Sequence, residues 1–275
     1  MRAEEHLQAG DLEQALAVLQ EEIRSNPSKV DLRVFLFQLL SVLGQWDRAI
    51  TQLNVAADMD SDALLMAQVY RPALNCEVLR SDVFKGKRTP LIFGEPLEWM
   101  VWLTQVPDLL ADGKLEAAAE LRDRAFEAAP ETPGQIDGQE FAWIADADSR
   151  LGPTLEAVVN GKYYWIPFER IREIRIERPV NLRDVVWATA TFTWTNRGEA
   201  VGLIPSRYPG SKENEDSSFR IGRKTDWTDA GNDFYLGTGQ RMLASDQGEH
   251  PLLEIRQVLL NHPTGGKPEE GQQDD

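Results

Sequence analysis

One cysteine, Cys76, in a chain of 275 residues excludes any intrachain disulfide and any cysteine-rich zinc site. Histidine is nearly as scarce: His6, His250 and His262 stand far apart and show no metal-ligand spacing. Long apolar runs are missing too. No stretch reaches 18 apolar residues, so nothing is expected to span a membrane. The opening MRAEEHLQAGDLEQAL lacks the apolar core that a secretory signal needs. Basic charge is in deficit, with 29 Lys and Arg against 45 Asp and Glu, giving a formal net charge of -16. That balance repels nucleic acid and anionic membranes, so neither is expected as a partner. What is present is ordinary for a globular chain, 42% hydrophobic and 27% charged, with length enough for two small domains. The expectation is an acidic, soluble, cytoplasmic protein.

The first half reads as helix pairs. Three segments share a pattern, beginning at Gly10, Gly44 and Gly113. In each, an apolar residue follows two positions later (Leu12, Trp46, Leu115) and an alanine five positions later (Ala15, Ala49, Ala118). A Pro or Ser closes each segment 17 residues after its glycine, at Pro27, Ser61 and Pro130. The first two glycines are 34 residues apart and the next two 69, close to twice that period. This is the tetratricopeptide spacing of helix–turn–helix units. The glycine ends one helix in a backbone conformation costly for other residues, and the alanine lets two helices approach closely. Leu12, Ala15, Leu16, Leu19 and Ile23 fall on one helical face. The run from Val30 to Leu43 is apolar on several sides, which predicts a sandwiched helix. A unit over 62–82 lacks the glycine and carries Pro72, so it reads as a degenerate pair. Arg88 to Pro96 reads as an insertion, and Glu98 to Ala111 as another amphipathic helix.

Helical periodicity ends at PETPGQIDG, Pro130 to Gly138, and period-two patterning takes over. Leu155–Val159 and Lys162–Ile166 flank Asn160-Gly161, a dipeptide suited to a type I′ hairpin turn. Val185 to Thr195 is β-branched and aromatic throughout, the clearest strand in the chain. A last pair is expected between Gln240–Ala244 and Leu252–Leu260, with a short helix near Phe168 to Arg172. Pro209 to Ser218 has no apolar residue and reads as a mobile loop. The fold class is α+β. Tetratricopeptide-like helical repeats over 1–135 precede a mostly antiparallel sheet or partial barrel over 136–262, and 263–275 is expected to be a disordered tail.

Candidate chemistry is thin. Asp146 and Asp148 have the D-x-D spacing that can hold a divalent cation, which makes a metal-dependent hydrolase centred on them the alternative to a binding protein. No third carboxylate or phosphate loop accompanies them, so capping a turn or pairing with Arg150 is the preferred role. Ser149, Ser206 and Ser245 lack a nucleophile-elbow context, and His250 falls in an expected turn. Cys76 lies among helical apolar residues, where a buried thiol is inert. No catalytic, metal or cofactor site is assigned. A polar-aromatic cluster remains: Trp165, Pro167, Arg183, Asp184, Trp187, Pro205, Arg207 and Tyr208. It reads equally as an exposed binding hot spot or as a buried Arg–Asp pair under stacked rings. The concave face of the helical repeats is the other candidate binding surface.

Three strings then stand out: WIADADSRLGPTLEAVVNGKYYWIPF (Trp143 to Phe168), LRDVVW (Leu182 to Trp187) and IPSRYPGS (Ile204 to Ser211). With the closing GTGQRMLASDQGEHPLLEIRQ, they resemble the ImpE family, also called TagJ or SciE-type, accessory components of bacterial type VI secretion systems. The resemblance spans nearly the whole chain, the acidic tail excepted. It implies a non-catalytic adaptor without cofactor. Its implied partner is the small subunit of the contractile sheath, bound through that subunit's N-terminal helix, and through it the hexameric unfoldase that recycles contracted sheath. No residue-level binding motif carries over, so binding residues are chosen from chemistry: Arg150, Trp165, Arg183, Trp187, Arg207 and Tyr208 in the second half, with Phe35 and Gln38 in the helical half.

Overall fold

The computed structural model describes residues 2–262, so the tail expected to be disordered, 263–275, lies outside the described residues. The helical half opens with α1 (Arg2–Gln8), α2 (Leu12–Ser25), α3 (Val30–Val42) and α4 (Trp46–Met59) as two helix–turn–helix pairs. Gly10 and Gly44 separate the helices within each pair at φ of 82° and 65°, left-handed values that a side chain resists. Ala15, Ala49 and Ala118, the three recurrent alanines, are fully buried where helices cross. In α2, Leu12, Ala15, Leu19 and Ile23 are buried as their spacing predicts, and Asp11 caps the first turn by accepting from the Gln14 N–H.

The segment read as a degenerate pair is one long helix, α5 (Ser61–Phe84), with Pro72 inside it. An internal proline costs about 3 kcal/mol by removing one backbone hydrogen bond. Burial of Ala67 and Tyr70 before it, and of Cys76, Glu77 and Arg80 after it, holds both parts of the helix in line. The insertion contributes β1 (Leu91–Ile92). The amphipathic run that follows splits at Thr104-Gln105 into α6 (Glu98–Leu103) and α7 (Val106–Ala111), because Pro107 starts a new first turn. Gly113, at φ 73°, then leads into α8 (Leu115–Ala128).

The second half carries β2 (Gly134–Ile136), β3 (Gln139–Phe141), β4 (Ile144–Asp146), β5 (Thr154–Val159), β6 (Lys162–Pro167), β7 (Ile171–Ile176), β8 (Trp187–Trp194) and β9 (Glu199–Pro205). A four-residue helix, α9 (Ser217–Arg220), precedes β10 (Thr225–Asp229), β11 (Tyr235–Gly239), β12 (Met242–Ser245), β13 (Gly248–Pro251) and β14 (Gln257–Leu260). Nine strands form one open sheet in the order β1-β6-β5-β9-β8-β7-β14-β2-β3. Every pairing in it is antiparallel except β1 on β6. Its two ends are different strands, so the partial barrel is not a closed one. The Asn160-Gly161 hairpin forms as expected, with φ of 51° and 72° matching a type I′ turn.

Two expectations are corrected. The strand over Leu252–Leu260 does not pair with the one before it: β12 pairs with β13 and β4, while β14 joins β7 and β2. Alternation records which face of a strand is buried, not which strand lies beside it. The 209–218 loop is ordered despite its polarity. Ser211 is buried, its hydroxyl donating to the Tyr208 carbonyl at 2.6 Å and accepting from the Gly239 N–H at 2.7 Å. Internal hydrogen bonds hold that loop where apolar burial does not. The helix expected near Phe168 is a single 3-10 turn, Phe168–Arg170.

All six residues of β5 are buried, because the sheet is covered on both sides. One face packs on the helices through Val158, Tyr163, Trp165, Trp187 and Leu203, in a core continuous with Leu36, Phe37, Leu40 and Leu53. The other face builds a second core from Leu155, Ala157, Val159, Ile166, Ile174, Phe192 and Val258. Trp165 and Trp187 are fully enclosed, each burial favouring folding by about 4–6 kcal/mol from area alone.

Candidate functional site

The seam between the helices and the sheet gathers most of the residues singled out in the sequence. At its centre Glu156, in the middle of β5, is wholly buried. Arg80 of α5 grips it with two bonds, Nε to Oε1 at 2.7 Å and Nη2 to Oε2 at 2.9 Å. Arg241, which precedes β12, binds the same carboxylate with Nη2 and Asp146 with Nη1, and the Tyr163 hydroxyl donates to Glu156 as well. Burial alone raises the Glu156 pKa, yet the charges of Arg80 and Arg241 and these hydrogen bonds hold it down at about 2. Glu156 is therefore an anion at any physiological pH. Within the seam four buried acids, Glu77, Asp146, Asp148 and Glu156, stand against four buried arginines, Arg80, Arg150, Arg207 and Arg241. Such a set costs desolvation and is tolerated because nearly every member is hydrogen-bonded.

Asp146 and Asp148 belong to this network and not to a metal site. Asp148 holds Arg150 through Oδ1 at 2.7 Å and accepts the N–H groups of Arg150 and Gly237. Asp146 accepts from the Asp148 N–H at 2.9 Å, from the Tyr208 hydroxyl at 3.0 Å and from Arg241. All four oxygens face donors, and two guanidiniums repel a cation. Among the described residues no group of three His, Cys, Asp or Glu is placed to hold a metal ion. His250 lies in β13, not in a turn, with Nε2 3.0 Å from the Ser245 hydroxyl. No carboxylate orients its other nitrogen among the described residues. The Cys76 thiol is pushed up to about 11 by burial and by neighbouring Glu77, which leaves it protonated.

Aromatic rings continue the seam. Phe37 of α3, Tyr70 of α5 and Trp46 at the start of α4 converge on Trp187, with Phe37–Tyr70 and Tyr70–Trp187 centroids 5.7 Å apart and Trp46–Trp187 at 6.0 Å. The Trp187 indole donates to Glu77 at 3.0 Å, and the Trp165 indole to the Tyr163 hydroxyl at 2.7 Å. Gln38 accepts the Arg183 N–H at 3.1 Å, and Arg183 Nε donates to the Tyr70 hydroxyl. Arg207 reaches the carbonyls of Val42 and Ser41 at the C-terminus of α3, where a cation suits the helix dipole. Burial lowers its pKa to about 10, still cationic at neutral pH.

Of the two readings of the polar-aromatic cluster, the geometry matches enclosure. Trp165, Trp187, Arg207, Tyr208 and Arg150 are buried together, Arg183 and Gln38 bond to each other, and Phe35 is partly buried on α3. The Arg–Asp pair is present but long and half-buried: Arg183 and Asp184 are 3.8 Å apart, with Arg183 over the Tyr70 ring, and Asp184 also accepts the N–H groups of Val180 and Asn181. The faces of α3 and α5 that an open helical repeat would offer to a peptide are thus covered by this chain's own sheet. Arg80, Glu77, Glu156, Arg241 and Tyr163 were missed in the sequence. A signal existed for one of them, since Glu156 interrupts an otherwise apolar strand. Exposed apolar residues concentrate elsewhere: Met59, Leu64, Leu65, Val69 and Val78 lie at the end of α4 and along α5, with Leu65 63% exposed.

Comparison with known proteins accounts for this architecture. A tetratricopeptide repeat model matches residues 6–69, and the model of the ImpE protein family matches residues 138–259. The type VI secretion system accessory component TagJ of Pseudomonas aeruginosa is 50% identical over 258 residues, covering 94% of this chain and 90% of that protein. The chain belongs to the ImpE family. A crystal structure of a Vibrio parahaemolyticus protein shares 26% identity and superposes with a TM-score of 0.87, over 96% of this chain and 99% of that one. The fold of helical half and sheet half is therefore one that this ImpE chain shares with a solved structure. Among the described residues no helix is long and apolar enough to cross a membrane.

Proposed function

We propose that the protein is a non-catalytic, cytoplasmic adaptor of a type VI secretion system, which binds the N-terminal helix of the small sheath subunit and links the contractile sheath to its recycling unfoldase. The observation that carries this reading is the 50% identity, along nearly the whole chain, to an accessory component of that system. Because the repeat face is covered, this reading takes the outer side of α5 as the docking surface, where Leu64, Leu65 and Val69 are exposed, as is Met59 at the end of α4. These side chains match the apolar face of an amphipathic helix. Asp58, Asp60 and Asp62 are exposed around them and would steer a helix with a basic polar face. Raised salt then slows association more than it changes dissociation.

Calorimetric titration with a synthetic N-terminal helix of the cognate small sheath subunit tests the reading, with a scrambled peptide as control. Saturable binding of the native order alone is expected. The pair Leu65→Glu and Val69→Glu is expected to weaken it roughly a hundredfold, from the loss of two buried apolar contacts. No binding by the native peptide at high micromolar concentration would sink helix capture. Co-sedimentation of the unfoldase with sheath, with and without this protein, tests the link: equal recovery in both would remove the adaptor role.

A further inference from the structure

A cavity of about 190 Å³ opens between the C-terminal half of α5, the start of α4 and the 209–213 loop. Five cationic side chains face it, Arg80, Lys85, Arg150, Arg207 and Lys212, against two carboxylates, Glu77 and Glu213. Two of these cations have carboxylate partners outside the lining, which leaves three cations against two carboxylates in a chain of net charge -16. Arg80 and Arg150 are already matched by Glu156 and Asp148. Arg207 is not. It is 6% exposed, its hydrogen bonds go to the backbone carbonyls of Ser41, Val42 and Arg220, and among the described residues it forms no ion pair with a carboxylate. Lys85 and Lys212 form none either, and the Lys212 amine sits 5.5 Å from the centre of the Trp46 ring. Trp46 and Phe84 supply the apolar part of the lining, Phe84 with the Arg150 guanidinium 4.7 Å from its ring centre and Trp46 packed on Trp187. At the rim, a Cβ placed on Gly210 would meet nothing within 4 Å, so the entrance is open there.

We propose that this cavity binds a small organic oxyanion, a carboxylate or phosphate group held by Arg207 and closed over by Lys85 and Lys212, with a flat apolar body against Trp46 and Phe84. Guanidinium and ammonium groups together suit either oxyanion, by directed hydrogen bonds from the first and point charge from the second. The volume admits a small molecule and no folded segment. Both walls and charges belong to the seam, so occupancy ties α4 and α5 to the sheet half. The site stands independently of sheath binding.

The full-length protein should be titrated with inorganic phosphate, phenyl phosphate and benzoate, against sodium chloride of equal ionic strength, by calorimetry and thermal unfolding. Saturable one-to-one binding of phenyl phosphate or benzoate is expected, with a Tm rise of about 3–5 °C at tenfold excess over Kd. The aromatic probe that binds more tightly identifies the oxyanion, and phenyl phosphate should exceed inorganic phosphate because the rings add contact. Lys85→Gln with Lys212→Gln keeps the buried network intact and should weaken binding about tenfold. A Tm response no larger than that of chloride overturns the proposal, as does binding that the two substitutions leave unchanged.

Discussion

Glu156→Gln tests the seam most directly, because it removes one negative charge from a place where two guanidiniums depend on it. Arg80 would keep the Arg207 carbonyl at 2.9 Å and the distant Glu77 at 3.6 Å, and Arg241 would keep Asp146 and the Pro205 carbonyl at 2.7 Å. Breaking a buried pair by removing one partner costs about 3–5 kcal/mol, since the other charge stays buried. The remaining contacts place this case toward the lower end of that range. For a chain of this size the loss lowers Tm by roughly 10 °C. The assay is thermal and urea unfolding at neutral pH, with Glu13→Gln as the control. Glu13 pairs with Arg220 from a side chain that is 66% exposed, and its loss should cost under about 1 kcal/mol. If the two variants are indistinguishable, the picture of a dry ionic seam is wrong. A companion variant, Arg80→Met with Glu156→Leu, should regain part of the stability, because it removes one buried charge of each sign and leaves Arg241 paired with Asp146.

Acid should act through the same carboxylate: Glu156 lies at about 2 in the fold against an ordinary 4.5, so its contribution is complete above pH 4.5 and is lost as pH falls from there toward 2. The gap between wild type and Glu156→Gln in urea unfolding should therefore narrow across that window, and a constant gap would contradict the assignment. Cys76, buried and held near 11, should react with a thiol reagent at mildly alkaline pH at least about a hundredfold more slowly in the native than in the unfolded protein. Gly113→Ala, at φ 73° with open space around it, should cost about 1 kcal/mol by conformation alone. Gly237→Ala drives a methyl into the Tyr208 ring and should cost about 2–3 kcal/mol, visible in near-ultraviolet dichroism as well as in stability.

Local features were the legible ones. Gly10, Gly44 and Gly113 each adopt the left-handed conformation their recurrence predicts, and Asn160-Gly161 makes its turn, because a few adjacent residues settle such geometry. The sandwiching of α3 could be read from its apolar residues on several sides, although what covers it could not. The network resisted reading because its members are distant in sequence: Arg241 meets Asp146 across 95 residues, and Arg80 meets Glu156 across 76. An arginine beside Met242 and Leu243 reads as a solvated strand end until a carboxylate is found for it. The polar loop at 209–218 misled for the opposite reason, since composition registers missing apolar contact but not the hydrogen bonds Ser211 makes. Family resemblance pointed to an accessory role where residue chemistry stopped, and enclosure of the polar-aromatic cluster is the reason the proposal turns to the outer side of α5.

The two-residue strand β1 has a bearing on how this chain can be divided. It comes from the helical half, lies parallel on β6 at Leu91↔Tyr164 and Ile92↔Trp165, and closes that edge of the nine-stranded sheet. Expressed alone from residue 134, where β2 begins, the sheet would offer β6 as an unguarded template for strand addition between molecules, and it would also leave Glu156 without Arg80. The helical half thus supplies both the strand that covers this edge and the guanidinium that pairs with Glu156.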